Sequence, residues 1–190
     1  MKHKKKKHNL PKPTSMRLKD NHTWKAPKGY KIVVLDRGAV SFNVPEKWEV
    51  GKLEPFEMHD VAPPKDNVRL GVTFWRTPPG VDWTGLPLAK LLADSTEGSE
   101  LEILARGEIA RHSRTDLEIV WMENRFLDPI EKREAFSRIA LARGWDVHVL
   151  ITLDYWVDES EKHRPAWHEV INSLQLGRYI EDPTKGIVTH

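Results

Sequence analysis

No cysteine occurs in the 190 residues, which excludes disulfides, thiolate zinc sites, cysteine nucleophiles and lipid attachment through cysteine. No apolar run approaches the roughly 20 residues of a membrane helix. The basic N-terminus is not followed by an apolar segment of about 7–15 residues, so no secretory signal peptide is read and cytoplasmic residence is expected. The chain has no GxSxG, GxxxxGKT or GxGxxG stretch, which leaves nucleophile-elbow hydrolysis, P-loop binding and dinucleotide binding without support.

What is present fits one packed domain: 39% hydrophobic residues, eight tryptophans, and 31% charged residues that demand a well-solvated surface. The net charge of +2 conceals a division. Residues 1–28 hold ten basic side chains and one acid, Asp20, for +9, while residues 29–190 hold 20 basic and 27 acidic ones, for −7. The first 28 residues lack apolar periodicity and carry Pro11, Pro13 and Pro27. They read as a disordered tail, because so little apolar surface cannot offset the entropy of ordering. Lys2, Lys4, Lys5, Lys6 and Lys7 form either an electrostatic anchor for nucleic acid, acidic protein or an anionic surface, or a solubilising tail with no specific partner.

From Gly29 onward strand signals dominate. "YKIVVLD", a turn at Arg37-Gly38 and "VSFNVP" predict a hairpin, with Val40, Phe42 and Val44 on one face and Ser41 and Asn43 on the other. Pro45 has no N–H to continue a ladder, so the strand ends there and Trp48 must reach the core from a loop. Residues 51–66, with Pro55, Pro63 and Pro64, read as a loop. "NVRLGVTFWRT" alternates as a strand. Thr84 is placed to cap a short helix through "GLPLAKLLADS", where Leu88, Leu91 and Leu92 fall at helical spacing. Strands follow at about 101–112, 116–126 and 133–142. "GWDVHVLITLDYW" then sets Val147, Val149, Ile151, Leu153 and Tyr155 opposite His148, Thr152 and Asp154.

Asp158 and Ser160 are placed to cap a closing helix, "RPAWHEVINSLQLG". It has Pro165 in its first turn, a Trp167, Val170, Ile171, Leu174 stripe, and Gly177 as its stop. Residues 178–190 read as a short tail. The expected class is α+β: an antiparallel sheet of about six or seven strands with this long helix and the shorter one packed on it, over residues 29–177.

Candidate chemistry is sparse. His163 and His168 are five apart with Pro165 between them, which misses the i, i+4 pairing of a helical metal site. His59, His112 and His148 are scattered, and Asp154 with Asp158 is a pair that chance readily supplies among so many acids. Arg106, Arg111, Arg114, Arg125, Arg133, Arg138 and Arg143 read as cross-strand partners of Glu102, Glu108, Glu118 and Glu123. No cofactor or metal is expected. If the domain has a partner-binding face, its residues are His148, Thr152 and Asp154.

The order "VSFNVPEKWEV", a hairpin-rich middle, "WDVHVLITLDYW" and a closing "PAWHEVINSLQL" resembles one superfamily over about residues 30–177. It contains the photosystem extrinsic protein PsbP, the yeast Ran-binding nuclear import factor and bacterial secretion-effector chaperone domains. The resemblance implies an α/β/α sandwich in which the tryptophan of the PxxW corner plugs the core, and protein binding rather than catalysis. The reading is a non-enzymatic protein-binding, adaptor or chaperone-like module. Its alternatives are a nucleic-acid-associated protein acting through the tail, and an enzyme with an unrecognised site.

Overall fold

The structure, a computed structural model, describes residues 24–97 and 101–179. The tail lysines Lys2 and Lys4 to Lys7 lie outside the described residues. Strands β1 (Tyr30–Leu35) and β2 (Val40–Pro45) form the expected hairpin, with Leu35 opposite Val40. Its turn holds Asp36, Arg37 and Gly38 at φ 41°, 55° and 97°, a left-handed run in which Gly38 is the one residue free of strain. Pro45 ends β2, the Trp48 N–H bonds back to the Pro45 carbonyl at 3.1 Å, and the indole lies buried in the core. The corner therefore turns Trp48 inward.

β2 is buried on both faces, including Ser41 and Asn43, which the alternation places on a polar side. The Asn43 backbone N–H donates to Ser173 Oγ at 2.8 Å, and Asn43 Nδ2 donates to Glu169 Oε1 at 2.7 Å. Burial is tolerated because these polar groups find partners.

Residues 51–66 are not one loop. β3 (Glu49–Leu53) and β4 (Phe56–His59) make a second hairpin, with Pro55 in its turn where no ladder bond is needed. Short strands and a register shift between Val50 and Lys52 blunt the period-2 signal. The loop proper is 60–67, held by Asp60 Oδ1, which accepts the N–H groups of Val61 and Asn67.

β5 (Val68–Arg76) pairs with β4 and with the distant β10 (Val147–Trp156). Helix α1 (Leu88–Glu97) starts after Pro87, and Thr84 does not cap it. Instead, the Thr84 N–H and hydroxyl both donate to Asp82 in a turn. Leu88 and Leu92 are buried, whereas Leu91 is 39% exposed.

The single strand expected at 101–112 is two, β6 (Glu102–Arg106) and β7 (Ala110–Ser113), both paired with β8 (Glu118–Leu127). Gly107 breaks it. Its N–H donates to the Glu123 carbonyl at 2.8 Å, and a Cβ there would collide with that oxygen. β9 (Glu134–Gly144) and β10 complete the antiparallel run.

Helix α2 (Ser160–Ser173) is preceded by a short 3₁₀ turn, so Pro165 falls in its second turn rather than its first. Neither Asp158 nor Ser160 caps it through a side-chain bond to the helix start. Asp158 pairs with Arg133, and Glu159 holds the cap position. The helix ends at Ser173, ahead of Gly177, and a two-residue strand β11 (Gln175–Leu176) then pairs with β2. Gly177, at φ 66°, closes that strand, with its N–H bonded to the Ala39 carbonyl.

The class is α+β. Its strands divide between a sheet ordered β1-β2-β11 and a sheet of eight strands, ordered β3-β4-β5-β10-β9-β8-β6 with β7 beside β8. Alternation assigns the layers. Val147, Val149, Ile151 and Leu153 share a core with the small sheet and with Trp167, Val170, Ile171 and Leu174 of α2. Val120, Met122, Ile139 and Leu141 face the other way and pack against Leu88 and Leu92 of α1. The helices thus lie on opposite faces of the large sheet. No helix among the described residues is long and apolar enough to cross a membrane.

Candidate functional site

Helix α1 covers β8 and β9, and among the described residues no helix covers the β10–β5 part of the same face. His148, Thr152 and Asp154 all lie on this face by alternation, yet they do not gather. Six residues of strand, about 20 Å, separate the first from the last. Gly71 stands opposite Thr152, whose Oγ1 lies 2.7 Å from where a Cβ would be. Asp154 Oδ1 accepts from the Ser137 hydroxyl at 2.6 Å, and its Oδ2 accepts from Arg69 at 3.2 Å. Burial pushes the Asp154 carboxyl above its usual range, against the pull of those two donors. This end of the face is a satisfied polar ladder.

The His148 end is different. The β9–β10 turn and the β5–α1 connection enclose an open cleft of about 330 Å³ with Trp83, Trp145, Pro78, Pro79 and His148 in its wall. Trp75, the β5 partner of His148, stacks on the imidazole at 5.9 Å and 11°, and Trp83 meets it edge-on at 5.1 Å and 73°. His148 is 5% exposed. Its Nδ1 lies 3.5 Å from Thr77 Oγ1, while its Nε2 is buried and has no hydrogen-bond partner among the described residues. Burial, with the Arg143 charge alongside, lowers its pKa, so the ring is neutral at physiological pH. When Nδ1 accepts from Thr77, Nε2 carries the proton and is a donor that lacks an acceptor.

The charged groups of the cleft are committed to the protein. Arg143 Nη1 donates to the Trp83 and Leu86 carbonyls at 2.9 and 2.8 Å, and its Nη2 pairs with Glu118 at 2.7 Å. Asp82 accepts from Thr84, and Asp146 accepts from the Tyr179 hydroxyl. Trp145, at φ 54° and 66% exposed, stands at the rim.

Arginine pairing follows the cross-strand logic at two sites, Arg138–Glu123 and Arg143–Glu118. Elsewhere the partners differ: Arg125 pairs with Glu134, Arg133 with Asp158, Arg114 with Asp116, and Arg106 bonds to Thr96. His163 is buried beside Tyr155 and His168 is exposed, so the two do not form a joint site. The cleft itself was beyond sequence reasoning. Trp75 and Trp83 come from one stretch of the chain and Trp145 and His148 from another some sixty residues on, and only the proline-tryptophan density of 75–83 hinted at it.

A family model named Alr1449 matches residues 31–180, nearly the whole described domain. The chain belongs to the Alr1449 family. A relative in Nostoc sp. (strain PCC 7120), "Uncharacterized protein alr1449", is 45% identical over 172 residues, covering 90% of this chain and 89% of that protein. Among solved structures, the Alr1449 domain resembles cyanobacterial PsbP (CyanoP) from Synechocystis sp. PCC 6803, with TM-score 0.52 and 12% identity over 80% of this chain and 94% of that one. A Bacteroides thetaiotaomicron protein gives TM-score 0.52 and 13% identity over 78% of this chain and 48% of its own. At such identities the likeness shows the fold alone: it is PsbP-like, as the order of elements in the sequence implies.

Proposed function

We propose that the protein is a non-enzymatic binding module that takes an extended segment of a partner protein in the tryptophan–histidine cleft. One observation carries the reading: the His148 side chain is buried in a wall of tryptophan and proline, and its Nε2 has no partner among the described residues. A buried polar group without a partner costs about 1–3 kcal/mol, and a ligand acceptor at that nitrogen removes the cost.

The chemistry around it selects the ligand. A sugar needs many converging donors and acceptors, but here Arg143, Asp82 and Asp146 are already bonded within the domain. A polyproline II segment needs little more than flat aromatic surface and a donor for one carbonyl, because it has no internal hydrogen bonds and is ordered before binding. Asp82 and Asp146 beside the cleft, and the −7 of residues 29–190, favour a ligand with lysine or arginine between its prolines. The nucleic-acid alternative has only the tail to work with, since the domain repels phosphate.

Calorimetric titration tests this with synthetic decapeptides that alternate proline with lysine, proline with glutamate, and glycine with lysine, and with a neutral oligosaccharide. The first should bind and lose affinity about tenfold or more in Trp145→Ala, a change of about 1.4 kcal/mol. Equal binding of both lysine peptides would reduce the effect to bulk electrostatics, and binding of the oligosaccharide alone would replace the peptide reading.

A further inference from the structure

The basic tail and the acidic domain belong to one chain, and the anchor between them is visible. Trp24 is 7% exposed, its Nε1 donates to Gln175 Oε1 at 3.1 Å, and the Lys25 carbonyl accepts from Asn43 Nδ2. Trp24, the first described residue, is therefore held on the β2–β11 side. Gln175 is two residues from Gly177, and a Cβ on Gly177 would lie 2.8 Å from the Trp145 Cβ. Two strand residues span about 7 Å. Trp24 is thus close to the rim of the cleft.

The reach is ample. Ten residues separate Pro13 from Trp24, and an extended chain covers up to about 33–36 Å over that length. Residues 10–13 read Leu-Pro-Lys-Pro, two prolines about a lysine, within a segment of opposite charge to the domain. The other terminal segment also begins at the cleft, where Tyr179 bonds to Asp146. That segment brings Glu181 and Asp182 ahead of its one proline, so it presents the wrong charge to Asp82 and Asp146.

We infer that Leu10-Pro11-Lys12-Pro13 is an intramolecular ligand of the cleft, its prolines against Trp83 and Trp145 and a carbonyl accepting from His148 Nε2. The inference rests on the peptide-binding reading above and adds regulation to it. A tethered segment competes with an outside partner, and the apparent affinity for that partner falls by the fraction of time the cleft is free. A lysine between the prolines sits beside Asp82, so the docked state weakens with salt.

The absence of cysteine makes the test clean, because a Ser15→Cys substitution places a spin label at one position of the full chain. Paramagnetic broadening of the Trp83 and Trp145 indole N–H signals is expected, with Trp121 and Trp167 unaffected. The broadening should vanish when Pro11→Gly and Pro13→Gly are added. In the unlabelled chain the same two substitutions should tighten binding of the proline–lysine decapeptide, about tenfold if the segment fills the cleft nine-tenths of the time. Unbroadened cleft indoles, broadening that survives loss of both prolines, or equal decapeptide affinity in the two chains overturns self-docking. Equal affinity in the two chains leaves the peptide-binding reading standing. Failure of both chains to bind the decapeptide removes both readings.

Discussion

Arg138 Nε donates to Glu123 Oε2 at 2.6 Å, and the guanidinium lies within 6 Å of the ring centres of Trp121, Tyr155 and Trp167. The Tyr155 hydroxyl donates to the same carboxylate oxygen at 2.8 Å. Burial alone would raise the Glu123 pKa, but the bonds from Arg138 and Tyr155 bring it below the ordinary value. The pair stays ionised beneath α2. Glu123→Ala would leave the Arg138 charge buried and unpaired, at a cost of about 3–5 kcal/mol in urea unfolding. Replacing both partners, by Arg138→Met with Glu123→Leu, should cost far less. A Glu123→Ala loss under about 1 kcal/mol would contradict this account.

Trp24 belongs energetically to the domain, although the sequence places it in the tail. Trp24→Ala should destabilise the protein by about 3 kcal/mol, the low end for a buried tryptophan because this one lies at the edge. Thermal unfolding indistinguishable from the parent would show that the indole does not dock in solution.

Trp48 and Trp167 occupy the main core, the first from the proline corner and the second from the inward stripe of α2. Each alanine substitution should cost about 3–5 kcal/mol. A stable Trp48→Ala protein would overturn the account of the corner.

Stability should depend on pH through two histidines. Burial and the Arg143 charge lower the His148 pKa; burial and Lys162 lower that of His163, against Asp60 and Glu159. Unfolded imidazoles titrate near 6.5. As pH falls below that value the unfolded chain takes up protons that the folded chain refuses, so stability is full above about pH 6.5 and declines on acidification. The urea midpoint should be lower at pH 5.5 than at pH 7.5, and the difference should shrink in His148→Phe with His163→Phe. The raised pKa of Asp154 acts with the opposite sign, and it cancels in the comparison of the two proteins. An undiminished difference would show that other groups carry the dependence.

Legibility followed periodicity. The helix stripe Trp167, Val170, Ile171, Leu174 and the strand Val147 to Tyr155 repeat long enough to be read, and both occupy the expected faces. The β3–β4 hairpin was hidden because its strands have five and four residues, and its proline serves the turn. The break at Gly107 was hidden because its cause is the carbonyl of Glu123, sixteen residues away. The polar face of β10 was legible as a set, but its division was not. Asp154 is satisfied by Ser137 and Arg69 from neighbouring strands, whereas His148 is enclosed by Trp75 and Trp83 and left with a bare nitrogen. Only tertiary structure separates the two ends of that face.

The most direct test of the central claim follows the indole N–H signals of all eight tryptophans while the full chain is titrated with the proline–lysine decapeptide. The account predicts shifts at Trp83 and Trp145, a smaller one at Trp75 through its stack on His148, and none at Trp48, Trp121 or Trp167. A saturating titration that leaves Trp83 and Trp145 unmoved would contradict it.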